Sequence, residues 1–162
     1  MTDFETEFLA AYGKLSVKFA FTEELMKQFI NFLLDPKDSK VGSCITADMP
    51  FNPLYHALMS LYRLKENNED LVNIFSKLLD DIKKIEEKRN KFIHSIWRIN
   101  SSSNTAIRFK RTAKFSVGLN RDDKEYDISE INKDIESLEE LYVVLGIKLE
   151  NWETKYFQTD HL

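Results

Sequence analysis

A helical spacing of apolar residues, repeated in several long segments, constrains the fold of this chain more than any other feature. Between positions 71 and 85 the apolar residues alternate spacings of four and three, as a stripe that faces other helices does. Segments 4–34 and 131–156 repeat a helical spacing. Because such a stripe must be buried against another one, the sequence predicts long helices packed around a shared core.

Turn and capping residues divide these segments into predicted helices. The first ends at Pro36, because proline disfavours helical geometry in the residue before it, and the stretch as far as Pro50 is predicted to be a loop. The second helix opens at Asn52 and Pro53 and continues to about Lys65. Its apolar stripe is predicted to be Leu54, Leu58, Leu61 and Leu64.

Two further helices follow. The third begins after Asn68 and is expected to extend to about Ile96. The fourth opens at Asp127, which with Glu130 has the form of a capping box. Its apolar seam is predicted to be Ile131, Ile135, Leu138, Tyr142, Leu145, Leu149, Trp152 and Tyr156.

The segment between the third and fourth helices changes from helical to alternating character. Residues 100–104 are serine and asparagine, which favour a turn, and apolar residues then alternate with other residues from Ile107 to Leu119. A second turn is predicted at 120–123. The alternation has the period of a β-strand, so the segment is predicted to form a small antiparallel hairpin or meander.

A length of 162 residues suits one globular domain. The predicted fold is mainly α, a single domain over 1–162 that forms an up-and-down four-helix bundle, with a small β-hairpin inserted at about 97–127 between helices three and four.

Composition excludes several familiar classes of protein. Cys44 is the only cysteine, which argues against a disulfide framework and against a cysteine zinc site. The four glycines are too scattered for a phosphate-binding loop. The carboxylate pairs Asp80–Asp81 and Glu86–Glu87 lie among lysines, which is typical of salt bridges on a helix surface, so neither a cofactor nor a metal site is predicted. No stretch is apolar for long enough to cross a bilayer, and no signal peptide is evident, so we expect no membrane and a cytoplasmic location.

Charge is distributed very unevenly along the chain. The net charge is -4, yet window 83–121 holds eleven Lys and Arg against Glu86 and Glu87, a local charge of +9. Such a window can attract the phosphate backbone of a nucleic acid, and it can equally be a solvated helix surface. The side chains predicted to contact RNA are Lys88, Lys91, Arg98, Arg108, Lys110, Arg111 and Lys114.

One residue in this window breaks the helical pattern. Continuing the seam of the third helix places Arg89 where an aliphatic side chain is expected, and Asn90 and His94 follow it. An arginine, a polar residue and then a histidine at the end of a long bundle helix resembles the motif of the HEPN superfamily. A weaker resemblance extends to the first helix around Tyr12.

The resemblance implies metal-independent RNA cleavage by a homodimer, in a toxin or phage-defence system in which an antitoxin protein can be a partner, with Arg89, Asn90 and His94 as the catalytic residues. Histidine can transfer a proton near neutral pH, arginine can stabilise a phosphate, and Asn90 has the spacing to orient the His94 ring. Within one ideal helix, Arg89 and His94 differ by about 140° in direction and about 7.5 Å in rise. Two copies would therefore complete one site more easily than a single copy.

Three alternatives stay open at this point. In the first, Arg89 pairs inside the bundle with an acid such as Glu139 or Glu140, while His94 caps a helix end and Trp97 fills the core. In the second, the chain is a catalytically inactive HEPN-like module that binds RNA or a protein. In the third, it is a dimeric scaffold.

Overall fold

The computed structural model of the protein describes residues 3–100, 102–114 and 118–159, with side chains described for all of these except 112–114, 119–122 and 159. In chain order the elements are α1 (Asp3–Leu34), α2 (Lys40–Thr46), α3 (Phe51–Lys65), α4 (Glu69–Ile93), β1 (Ile96–Asn100), β2 (Thr105–Lys114), β3 (Gly118–Tyr126) and α5 (Ile128–Thr159). The prediction of a mainly helical chain with one small antiparallel β element is therefore confirmed.

An aromatic cluster joins the four longer helices. The rings of Tyr62 on α3 and Phe75 on α4 stack with their centroids 3.8 Å apart. Phe29 of α1 meets Phe75 edge-on at 5.5 Å, and Trp152 of α5 meets Tyr62 at 5.6 Å. Because buried aromatic pairs contribute large apolar areas, this cluster helps to hold the four helices around one core.

The predicted stripes are correct in most positions and wrong in two. On α3 the buried residues include Leu54, Leu58 and Tyr62, whereas Leu64 is 76% exposed. The buried row continues in steps of four, which takes it to Tyr62 and away from Leu64. On α5 the predicted seam residue Tyr142 is also exposed.

Side-chain caps fix where two of the helices begin. Asn68 accepts hydrogen bonds from the backbone N–H groups of Asp70 (2.9 Å) and Leu71 (3.3 Å) at the start of α4. Asp127 accepts from the backbone N–H of Ser129 at 2.9 Å, so α5 begins where the capping residue predicts. In α3 the start differs, since the helix begins at Phe51, before the predicted Asn52.

The stretch predicted to be a loop contains the short helix α2. Asn31 of α1 donates from its amide to the Ser43 hydroxyl at 3.1 Å, and its amide oxygen accepts from the Thr46 hydroxyl at 3.3 Å. Thr46 and Gly42 are buried against α1. The prediction missed α2 because the helix is short and its buried face consists of Gly42 and Thr46, whereas its apolar residues Val41 and Ile45 are exposed.

The three strands form an antiparallel sheet in the order β1-β2-β3. Two boundary predictions were wrong: the third predicted helix ends at Ile93, since Ile96 already pairs with Phe109 on β2, and positions 120–123 lie inside β3. The predicted apolar positions 115 and 117 lie outside the described residues. Among the described residues, no helix is both long and apolar enough to cross a membrane.

Candidate functional site

Arg89 lies on the side of α4 that faces α1. Its guanidinium carbon is 5.0 Å from the centre of the Phe19 ring, and its Nη1 donates to the Asn90 amide oxygen at 3.1 Å. Within the described part of the chain, the Arg89 Nε is buried and has no hydrogen-bond partner. A buried donor without an acceptor costs free energy, so the position of Arg89 is not explained by packing alone.

Two carboxylates of neighbouring helices surround this arginine. Burial raises the pKa of Glu23 on α1 above its usual value of 4.5, and the positive charge of Arg89 opposes that increase. Glu86, one turn before Asn90 on α4, is 8% exposed and accepts a hydrogen bond from the Asn90 amide. The guanidinium is therefore set in a half-buried polar cluster between α1 and α4, which we call the Arg89 cluster and define as Glu23, Glu86, Arg89 and Asn90.

The acids proposed as alternative partners of Arg89 are placed elsewhere. Glu139 on α5 pairs with Lys14 at 3.6 Å and with Lys18 at 3.0 Å. No hydrogen bond or ion pair among the described residues joins Glu140 to Arg89. Among the described residues, neither of the two named acids is a partner of Arg89, because the guanidinium faces α1, where Glu23 is the nearby carboxylate.

His94 is an exposed residue at the C-terminal cap of α4, where its φ of -96° and ψ of 30° leave the helical conformation. Its backbone N–H donates to the Asn90 carbonyl at 3.1 Å. The predicted orientation of the His94 ring by the Asn90 side chain is not found, because the Asn90 amide is used by Glu86 and Arg89. His94 is thus held by its backbone, and its imidazole faces solvent.

The carbonyl of Phe92 fixes the end of α4 beside this histidine. It accepts from the Trp97 indole N–H at 3.0 Å and from the Tyr12 hydroxyl at 3.4 Å. Phe92 also stacks on Trp97 with ring centroids 5.2 Å apart. Trp97 therefore does pack against the core, and the Tyr12 region that carries the weaker resemblance does contact the motif segment.

The chain does not bring its two main candidate residues into direct contact. Among the described residues no hydrogen bond or ion pair joins Arg89 and His94, in accord with their different directions on the helix. Arg89 belongs to the cluster between α1 and α4. His94 instead lines an open cavity of about 550 Å³ between the end of α4 and the outer side of the sheet. Its lining residues are His94, Ile96, Trp97, Arg98, Phe109 and Arg111.

A second cavity of about 510 Å³ lies between α4, α5 and the inner side of the sheet. Glu130 and Asp134 lie within it and pair with Lys124 and Lys88, respectively. Its five basic lining residues outnumber these two carboxylates and leave a local charge of +3, which favours an anion. They are Lys88, Lys91, Arg108, Lys124 and Lys133.

The predicted RNA-contacting residues occupy different environments. Lys91, Arg98 and Arg111 are exposed and Lys110 is half-buried, whereas the Lys114 side chain lies outside the described residues. Lys88 is exposed but paired with Asp134, as described above.

Arg108 departs from the surface position expected of it. Its side chain is 2% exposed, its Nη1 donates to the Ser95 hydroxyl at 3.4 Å, and its guanidinium lies 5.8 Å from the Tyr126 ring. The alternation of β2 explains this, because Arg108 lies on the inner face with Ala106.

Several residues of these sites were missed by sequence reasoning. Glu86 was interpreted as a surface residue, although its spacing of four from Asn90 is a signal that was available. Glu23 has no such signal, since it meets Arg89 only through the packing of α1 on α4. Lys124 and Lys133 join the second cavity only once β3 and α5 are in place.

Comparison with known proteins adds no assignment: no family model, curated protein or solved structure matches this chain.

Proposed function

We propose that the protein is a metal-independent endoribonuclease that acts as a homodimer, with the up-and-down four-helix bundle and motif of the HEPN superfamily. The observation that carries the proposal is the position of His94, which is exposed in a cavity that also contains Arg98 and Arg111. A histidine at the mouth of a cationic cavity has access to a phosphodiester and to the protons that its cleavage moves.

The proposed reaction uses the ribose of the substrate as nucleophile. The 2′-oxygen attacks the adjacent phosphorus, the bond to the 5′-oxygen breaks, and a proton passes from the 2′-OH to the leaving oxygen. His94 takes or gives that proton, and the Arg89 guanidinium stabilises the negative charge that grows on the phosphate. The products are a 2′,3′-cyclic phosphate and a free 5′-OH, and His94 and Arg89 supply the proton transfer and charge stabilisation that a metal ion would otherwise provide.

The separation of Arg89 and His94 within one chain supports a homodimer. Because the two residues point in different directions from α4, a second copy is needed to place an arginine opposite a histidine. Among the described residues the buried Arg89 Nε has no acceptor, so this donor is available to an incoming phosphate oxygen, which supports a functional role for the arginine.

RNA cleavage in the presence of EDTA tests the activity. Wild-type protein is expected to cleave mixed cellular RNA and to leave cyclic-phosphate ends, and His94→Ala is expected to lose about two to four orders of magnitude in rate. His56→Ala is the matched control, because His56 is an exposed histidine on α3, away from the cavity. Equal cleavage by the two variants would overturn the assignment of His94.

Mixed dimers test the composite site. Arg89→Ala and His94→Ala proteins are each expected to be inactive, whereas a refolded mixture is expected to recover about a quarter of wild-type activity. Half of the dimers would then be mixed, and each would hold one intact site of two. No recovery, with mixed dimers shown to form, would mean that both residues act within one protomer.

An inactive RNA-binding module is the second candidate. It is favoured by the hydrogen bonds of Asn90, whose amide is engaged by Glu86 and Arg89 and so does not orient the His94 ring. RNA that is bound but never cleaved would favour this candidate.

We propose that the ribonuclease acts in the cell as a toxin or phage-defence protein, with an antitoxin as partner. Expression of the wild-type protein is then expected to arrest growth, and expression of a His94 variant is not.

A further inference from the structure

On β1 and β2, the side of the sheet that faces away from the helices carries a row of apolar and basic side chains. Trp97 and Ile99 of β1 pack against the core, so the alternate residues Ile96 and Arg98 point outward. The strand register places Ile96 opposite Phe109 and Arg98 opposite Ile107. We call this surface the outer face and define it as Ile96, Arg98, Ile107, Phe109 and Arg111.

The outer face combines an aromatic ring with positive charge. The Arg98 guanidinium lies 5.3 Å from the centre of the Phe109 ring, and Ile96 beside it is 74% exposed. Ile96 adjoins the partly exposed Phe109 across the strands, so the apolar surface forms one patch beside two arginines, which favours a contact surface. Arg98 and Arg111 flank it, and His94 closes one end of the same cavity.

Positive and negative side chains lie at opposite edges of this surface. Among the described residues that line the cavity, none carries a carboxylate. Carboxylates of the same face lie at its β3 edge, where Asp123 is opposite Phe109 and Glu125 is opposite Ile107. An anionic strand is therefore attracted to the β1 side of Phe109, which is the side that His94 also occupies.

We propose that the outer face binds an unpaired stretch of nucleic acid, with a base stacked on Phe109 against Ile96 and the flanking phosphates held by Arg98 and Arg111. An aromatic ring between cationic side chains suits an exposed base of any identity, because every base has a π-face. A base inside a duplex has no free face for Phe109. Binding at the outer face does not depend on the proposed function. Its purpose does, because we infer that the outer face holds a single-stranded substrate next to His94 for cleavage.

Binding of a fluorescently labelled oligonucleotide tests the inference without any cleavage. The probe is a mixed-sequence 2′-deoxy single strand of 12 nucleotides, which cannot react through a 2′-OH, and the same strand in a duplex is the comparison. Anisotropy titration should give weaker binding of the duplex. Phe109→Leu should weaken single-strand binding by about tenfold or more.

Phe21→Leu is the matched control, since Phe21 is an exposed phenylalanine on α1, 57% exposed and outside the cavity. It should change binding by less than about twofold, within the range expected for a surface residue that makes no contact. Phe109→Tyr, which keeps the ring, should bind as wild type does and guards against a folding defect in Phe109→Leu. Equal affinities for Phe109→Leu and Phe21→Leu, equal binding of duplex and single strand, or no binding of either would overturn the proposal.

The two proposals fail separately. Phe109-dependent binding of the single strand by a protein that cleaves no RNA would keep the outer face as a binding site and end the ribonuclease assignment. RNA cleavage that is unaffected by Phe109→Leu, with deoxy-strand binding also unchanged, would keep the ribonuclease and end the role of the outer face.

Discussion

The guanidinium of Arg89 lies over the ring of Phe19, 5.0 Å from its centre, at the point where the apolar seam of α4 meets α1. A cation tolerates such a position because the ring face is electron-rich and because the Nη1 of the same guanidinium donates to the Asn90 amide oxygen. The contact explains how α4 accommodates a charge in its seam without an ion pair. It leaves the buried Nε without an acceptor among the described residues.

Arg89→Ala should therefore cost little stability while removing activity. It removes one cation–π contact, worth about 0.5–2 kcal/mol, and one hydrogen bond to Asn90, worth about 0.5–1.5 kcal/mol, and it relieves an unsatisfied donor, so the free energy of unfolding should fall by no more than about 1–2 kcal/mol. Breaking a buried ion pair would instead cost about 3–5 kcal/mol. Urea unfolding beside RNA cleavage distinguishes these outcomes. A large loss of stability, in a wild-type protein that cleaves no RNA, would mean that the arginine is structural.

The neighbouring Glu23 should respond to the same substitution. Burial raises the pKa of Glu23, and Arg89 partly opposes this, so Arg89→Ala should raise the Glu23 pKa further. The pKa can be followed by NMR titration of the side-chain carboxyl carbon. An unchanged or lower pKa in Arg89→Ala would contradict the placement of the two residues.

The raised pKa also has a consequence for stability. A carboxyl group with a folded-state pKa above its unfolded value binds its proton more tightly when folded. Its contribution is fully present below the unfolded pKa of about 4.5 and is lost as pH rises through the higher folded pKa. Glu23→Gln should flatten the dependence of the unfolding free energy on pH in that window. Parallel profiles for wild type and Glu23→Gln would contradict it.

The sequence predicted most of the helices because proline and capping residues mark where helices end and begin. Pro36 ends α1, Asp127 caps α5, and the apolar rows around Leu54 and Phe75 are buried as their spacing requires. The alternation around Ile107 likewise predicted strands. For these elements the sequence signal and the tertiary structure agree, as local consistency in natural sequences leads one to expect.

Tertiary packing decides what the sequence could not predict. Arg108 and Arg111 look alike in the basic window, yet the strand alternation buries one and exposes the other. Asn90 has the spacing to reach His94, but Glu86 and Arg89 satisfy its amide first. Alternation separates Arg108 from Arg111, but which face is buried, and which partner satisfies Asn90, depend on neighbours that are distant in sequence.

Two glycine substitutions test the packing of α2 on α1. A Cβ at Gly42 would lie 2.5 Å from the Asn31 amide oxygen and 3.0 Å from its Cα, so Gly42→Ala should destabilise the protein by about 1–3 kcal/mol. Gly13→Ala is the control, because nothing lies within 4 Å of its Cβ and alanine favours the helix interior by about 1 kcal/mol. Thermal melting should therefore move in opposite directions for the two variants, and a Gly42→Ala protein as stable as wild type would argue against this close approach.

The contrast between Arg108 and Arg111 supplies the final prediction. Arg108 is 2% exposed, so Arg108→Ala leaves a cavity beside Tyr126 and should lower the free energy of unfolding by about 2–5 kcal/mol, as large-to-small substitutions in a core do. Arg111 is exposed, and Arg111→Ala should change that free energy by less than about 0.5 kcal/mol. Arg111→Ala should instead weaken RNA binding by the same factor for all sequences. The slope of log affinity against log salt concentration should become shallower by about one, the amount expected for the loss of one phosphate contact. Measuring chemical unfolding and RNA affinity at several salt concentrations for both variants separates the two roles. Wild-type stability of Arg108→Ala would show that Arg108 is not a core residue. An unchanged salt dependence of RNA binding in Arg111→Ala would show that Arg111 does not contact RNA.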